Sequence, residues 1–110
     1  MFYKSKKTVQ VDLGKGQKRR ILGYGGKLMM VEMTFEKGAV GEVHTHPHEQ
    51  VCYILKGSFE FELDGKKEVL YPGDSVYVPS GKPHGVKALE EESMIVDVFT
   101  PIREDFLEKN

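Results

Sequence analysis

One cysteine, Cys52, is all that 110 residues contain, so no disulfide can form within the chain and a reducing cytoplasm is the expected compartment. Cys52 is also a poor nucleophile, because it stands in the apolar run Val51–Leu55, where a thiol is ordinarily core. An excess of charge is missing too, with 16 Lys and Arg against 17 Asp and Glu and a net charge of -1. Without a basic stripe, nucleic acid and anionic membrane surfaces are poor partners. No apolar run approaches a membrane span. The first residues, Met1-Phe2-Tyr3-Lys4-Ser5-Lys6-Lys7, lack the apolar centre of a secretion signal. Helical periodicity is absent apart from a short stretch after Pro101, where Arg103–Glu108 can coil. Linkers, repeats and low-complexity segments are missing as well, so residues 1–110 are expected to form one domain.

What the chain does have is short β-type runs between glycine turns. Met29, Val31, Met33 and Phe35 alternate with Met30, Glu32 and Thr34, a period of two. Val51–Leu55, Ser58–Leu63, Glu68–Tyr71, Ser75–Val78 and Met94–Phe99 read the same way. Asp64-Gly65 lies between two such runs and predicts a hairpin turn. Gly23-Tyr24-Gly25-Gly26, Pro72-Gly73-Asp74 and Pro79-Ser80-Gly81-Lys82-Pro83 predict further turns. Many short strands at this spacing predict an all-β antiparallel sandwich or jelly roll. A small barrel leaves sheet edges, which an N-terminal strand such as Thr8–Leu13 can cover in a neighbouring copy, so a homodimer is expected.

Two glycine-framed patterns carry the chemistry: Gly38-x5-His44-x-His46-x3-Gln50-x6-Gly57 and Gly73-x5-Pro79-x-Gly81-x2-His84. On an extended strand His44 and His46 point to one face and can chelate a common ion. Gln50 has the same parity, although Pro47 implies a bulge or strand edge between them. Glu49 has the opposite parity and is not counted as a ligand. His48 is expected at the pocket rim, and His84, after the turn at Pro83, would complete the set. Any one of these histidines alone reads as an ordinary loop residue. Together they read as one divalent transition-metal site, for which imidazole suits Zn, Cu, Fe and Ni and the amide oxygen adds a harder donor.

The two halves resemble the paired motifs of the cupin superfamily over roughly Met29 to Phe106. That resemblance implies a double-stranded β-helix, usually dimeric, with the metal inside the barrel. Gln50 stands where the family most often has glutamate, and Ala88 where its second motif often ends in asparagine. Three imidazoles and an amide, all neutral, leave the full divalent charge on an ion. Such a site favours Lewis-acid chemistry on anionic oxygen ligands over oxygen activation. The identity of the ion, Ni, Zn, Mn, Fe or Cu, stays open.

Near the C-terminus runs Asp97-Val98-Phe99-Thr100-Pro101-Ile102-Arg103. Asp97 and Phe99 share a face of an otherwise apolar strand, and a buried carboxylate is costly unless it is paired or used. Arg103 can reach back as a fork for a substrate carboxylate, the alternative being that it pairs with Asp97 at the barrel mouth. With the metal motif, this tail is similar to the small cupins of the pectin-degradation type, the KdgF family. The resemblance implies an isomerase that opens 4,5-unsaturated monouronates from pectin or alginate breakdown to their linear ketones. It assigns Asp97 as general base, Phe99 as an aromatic wall and Arg103 as carboxylate anchor. The ligand expected is a small anionic sugar. Two other readings stay open: a cupin dioxygenase with a pocket lined by Met29, Met30 and Met33, and a non-catalytic module that binds sugars or other small ligands.

Overall fold

The computed structural model describes residues 1–108. After a single turn of 3₁₀ helix at Ser5–Lys7, ten strands follow: β1 Gln10–Gly14, β2 Gln17–Gly25, β3 Leu28–Phe35, β4 Val40–His44, β5 Glu49–Lys56, β6 Phe59–Leu63, β7 Lys66–Leu70, β8 Ser75–Val78, β9 His84–Ala88 and β10 Ser93–Thr100. A short helix, α1 Glu104–Glu108, closes the described chain. Six strands form one antiparallel sheet in the order β1-β2-β3-β10-β5-β8, and four form the other in the order β4-β9-β6-β7. The chain crosses between the sheets repeatedly, as the all-β jelly-roll expectation requires.

Side-chain alternation explains why the two sheets pack face to face. In β10, Ser93, Ile95, Asp97 and Phe99 are buried while their neighbours are half-exposed. In β5, Gln50, Cys52 and Ile54 are the buried positions. Phe35, Cys52, Ile54, Phe59, Phe61, Val78, Ala88 and Ile95 meet between the sheets, with Phe35 and Phe59 packed edge to face at 5.2 Å. Burial of each large apolar side chain there contributes about 1.5–3 kcal/mol. A smaller cluster of Met29, Val31 and Phe99 lies towards α1, against Ile21, Ile102, Phe106 and Leu107.

The expected turns hold. Asp64 and Gly65 both adopt positive φ, 49° and 84°, between the paired residues Leu63 and Lys66, the geometry of a two-residue hairpin turn. Gly57, from the first motif, has φ 75° and sits so near Ser93 that a Cβ would lie 2.8 Å from the Ser93 Cα; no other residue fits there.

The Thr8–Leu13 segment lies largely in β1, which pairs with β2 of its own chain and stands at the edge of the six-stranded sheet. Two expectations are corrected. The chain before Leu28 is strand, because β2 extends through most of the expected Gly23–Gly26 turn and the reversal narrows to Gly26-Lys27. His44 and His46 do not share one strand, since β4 ends at His44 and His46 lies in the loop leading to β5. Among the described residues no helix is long and apolar enough to cross a membrane.

Candidate metal centre

His44 and His84 are direct cross-strand partners of β4 and β9, so the ladder itself brings their rings to 4.5 Å between centroids. Gly85 permits the approach of these strands, because a Cβ there would lie 2.8 Å from the Gly41 carbonyl oxygen. His46 enters from the loop between β4 and β5, just before Pro47, 4.7 Å from His84 and 5.4 Å from His44. The nearest ring nitrogens of the three all lie within 4.8 Å of one another.

Backbone carbonyls set the tautomer of each ring. Nδ1 of His44 donates to the Glu42 carbonyl at 2.9 Å, Nδ1 of His84 to Lys82 at 2.9 Å, and Nδ1 of His46 to His48 at 3.0 Å. With the proton on Nδ1, each Nε2 carries a lone pair towards the other two. The Nε2 of His84 is buried without a hydrogen-bond partner among the described residues. Burial lowers the pKa of His84 to about 4 and that of His46 below its ordinary value, so both rings are neutral near pH 7. Like-charge proximity to the neighbouring imidazoles acts on these two rings in the same direction.

Gln50 joins from β5. Its Nε2 donates to Oδ1 of Asp97 at 2.8 Å, and its Oε1 lies 3.0 Å from Nε2 of His46. With Asp97 ionised the amide must turn its NH2 to the carboxylate, so two lone-pair-bearing atoms, Oε1 and Nε2, face each other. Only a proton or a cation reconciles that contact, and the lowered His46 pKa disfavours the proton. Three imidazole nitrogens, one orphaned in the interior, and one amide oxygen are a donor set that fits a divalent transition metal.

Asp97 and Phe99 lie on the inward face of β10, as their alternation predicts. Asp97 stands opposite Cys52 in the register and hydrogen-bonds with its thiol as well as with Gln50. Burial pushes the Asp97 carboxyl up to about 6, against the opposing pull of Gln50, Cys52 and Arg103. Cys52 is core, with its thiol pushed well above the ordinary range by burial and by Asp97. Phe99 packs edge-on to His46 at 5.7 Å and lines the cavity between the sheets. Arg103 does not pair with Asp97; its Nε and Nη2 hold Asp105 at 3.1 Å and 2.9 Å. His48 is half-buried, with Nε2 3.2 Å from the Ile102 carbonyl and Nδ1 buried without a hydrogen-bond partner among the described residues. Glu49 faces outward and accepts a hydrogen bond from the Tyr77 hydroxyl at 2.6 Å. Of the three methionines expected to line a pocket only Met33 does; Met29 is in the core and Met30 is on the outer face.

A cavity of about 390 Å³ opens between the sheets and is lined by His44, His84, Gln50, Asp97, Phe99 and Arg103, together with apolar side chains. That volume lies near the lower end of the range for small-molecule sites and suits a single sugar ring. A larger hollow of about 640 Å³ beside the β1–β2 turn gathers no histidine and no buried carboxylate, and we assign it no chemistry. One buried charged residue of the cavity escaped the sequence reading. Arg19 is buried and lines the same wall as Arg103. The signal was its inward parity with Ile21, hidden because Lys18-Arg19-Arg20 does not look like strand.

Residues 31–100 match the cupin domain family. The pectin degradation protein KdgF of Dickeya dadantii is 44% identical over 97 residues, 87% of this chain and 88% of that protein. The solved structure of KdgF from a Halomonas species superposes with a TM-score of 0.92 at 38% identity, covering 96% of this chain and 97% of that one. An RmlC-like cupin from Shewanella frigidimarina gives a TM-score of 0.91 at 42% identity, with 96% and 94% covered.

Proposed function

We propose that this chain, which belongs to the cupin family and is a homologue of KdgF, opens 4,5-unsaturated monouronates to their linear ketones at the site built around His44, His46, Gln50 and His84. The observation that carries the reading is the unbroken contact from His46 through Gln50 to Asp97, which ties a buried carboxylate to the histidine cluster. His44, His46 and His84 through Nε2, and Gln50 through Oε1, would hold one divalent cation, which supplies Lewis acidity to the oxygens of a bound anion.

The remaining work falls to side chains of the cavity. Phe99 and the apolar wall pack on the sugar ring and exclude water, while Arg103 adds positive charge for the carboxylate. Asp97 accepts the proton of the anomeric hydroxyl. The C1–O5 bond then breaks, its electron pair going to O5, which leaves an aldehyde at C1 and an enolate at C5, and the proton held by Asp97 is delivered to C4 to give the C5 ketone. Nothing is oxidised and no co-reactant is consumed, so the reaction is an isomerisation. A carboxyl with its pKa raised towards neutrality suits a group that must both take and return a proton.

The direct test is to add metal-loaded protein to the unsaturated monosaccharide made by a pectin or alginate lyase and follow the ultraviolet absorbance of its conjugated double bond. Faster loss than the spontaneous rate supports the reaction; an unchanged rate removes it. Consumption of dissolved oxygen during turnover would instead point to a dioxygenase.

Gln50→Glu probes the link between cation and base. It replaces the amide NH2 facing Asp97 with a second carboxylate oxygen at a separation of 2.8 Å, and two such groups cannot both ionise readily. Metal binding is expected to tighten and turnover at neutral pH to fall roughly 10- to 100-fold, because the new carboxyl keeps Asp97 largely protonated there. The acid limb of the pH–rate profile should move to higher pH, since Asp97 must lose its proton to act as base. An unchanged limb with unchanged turnover contradicts the coupling.

A further inference from the structure

The β1–β2 hairpin lies outside the span 31–100 that matches the family, yet it walls one side of the cavity with Leu13, Lys15, Gln17 and Arg19. Arg19 stands out among them. It sits opposite Met33 in the register, turned inward, with 5% of its surface exposed. A guanidinium has five N–H donors. From Arg19 one contact reaches the Phe106 carbonyl, from Nη2 at a long 3.4 Å, and Nε is buried without a partner among the described residues. Its guanidinium carbon lies 4.2 Å from the centroid of the Phe106 ring. A buried cation satisfied so poorly lowers stability unless a counter-charge meets it. Burial also disfavours its charged form, an effect that the neighbouring Asp105 opposes.

The internal counter-charge is already engaged. Asp105 pairs with Arg103 through two nitrogens, and the Arg103 guanidinium lies 4.2 Å from the same Phe106 ring. Two guanidiniums thus share one ring on one cavity wall, and the available carboxylate is paired to Arg103. Arg103 therefore offers little of its fork to a ligand, whereas among the described residues the donors of Arg19 hydrogen-bond to no carboxylate.

Resting on the uronate reading above, we propose that Arg19 is a substrate-recognition residue, binding the carboxylate of the sugar acid beside Arg103 and selecting sugar acids over neutral sugars. Asp97 and the histidine cluster line the same cavity, so an anion anchored at Arg19 has its ring between the two. The hairpin thereby supplies specificity from outside the part of the fold that carries the metal motif.

The test uses metal-loaded protein and two substitutions. Arg19→Met keeps an unbranched stem against Phe106 and removes charge and donors. Arg19→Gln repeats the removal with a polar side chain, should the first variant not fold. Calorimetric binding of D-galacturonate and of D-galactose, melting temperature, and KM and kcat on the unsaturated uronate are measured for each. Wild type is expected to bind galacturonate in preference to galactose. The variants should bind galacturonate on the order of 10- to 100-fold more weakly, the worth of one lost charge-assisted contact. KM should rise by a similar factor with kcat within about twofold. The melting temperature of Arg19→Met should hold or rise, because a strained buried charge has gone; a merely structural arginine would lower it. Wild-type galacturonate affinity in a folded variant overturns the proposal, and so does a wild type that does not distinguish the two sugars. Arg19-dependent galacturonate binding in a protein that leaves the unsaturated uronate untouched would refute the proposed reaction and sustain the carboxylate site.

Discussion

Asp97→Asn is expected to reduce turnover of the unsaturated uronate by ~10²–10⁴-fold, the range for loss of a positioned general base. The amide keeps the shape of the carboxylate but cannot take the anomeric proton. Bound metal and affinity for a saturated uronate should change little by comparison, because the four donor side chains are untouched. The site makes this variant informative. Asp97 is buried and held by Gln50 and Cys52, so its loss is confined to one carboxylate between two named neighbours. A variant that retains near-native turnover with full metal would make Asp97 a support for Gln50, and the base would then be sought at His48, whose Nδ1 is buried without a partner among the described residues.

The second large effect is on the metal. His84→Ala takes away the most enclosed of the three imidazoles, 3% exposed, and the cross-strand partner of His44. Two rings and an amide then remain, and metal affinity should fall by more than the roughly 10- to 100-fold that an outer partner costs. Elemental analysis after dialysis reads this directly, with circular dichroism to show that the strands persist. Full occupancy in the variant would mean that the ion, if any, is held elsewhere.

Much of this arrangement was legible in the chain. Alternation in Met94–Phe99 placed Asp97 and Phe99 on the inner face, because a strand buried on one side leaves no freedom in which residues turn inward. Spacing grouped His44, His46, Gln50 and His84, but the strand-parity argument for the first pair did not describe how they meet. What aligns the rings is a set of Nδ1 bonds to carbonyls two residues away, and backbone contacts of that kind leave no trace in residue identity. Arg103 was expected to reach for a ligand, yet Asp105, two residues on, holds it; a local ion pair across a turn is decided by rotamers and not by composition. Arg19 went unread, since its inward parity with Ile21 counts only once β2 pairs with β3, a long-range choice that its polar neighbours do not announce.

The most direct measurement titrates one divalent metal into metal-free protein and follows, at each step, bound ion per chain and the rate at which unsaturated uronate loses its absorbance. The account predicts a rate that rises in proportion to occupancy, reaches its plateau near one ion per chain, and consumes no oxygen. A metal-free protein as fast as the loaded one, or a fully loaded wild type that leaves the uronate at its spontaneous rate, would contradict it.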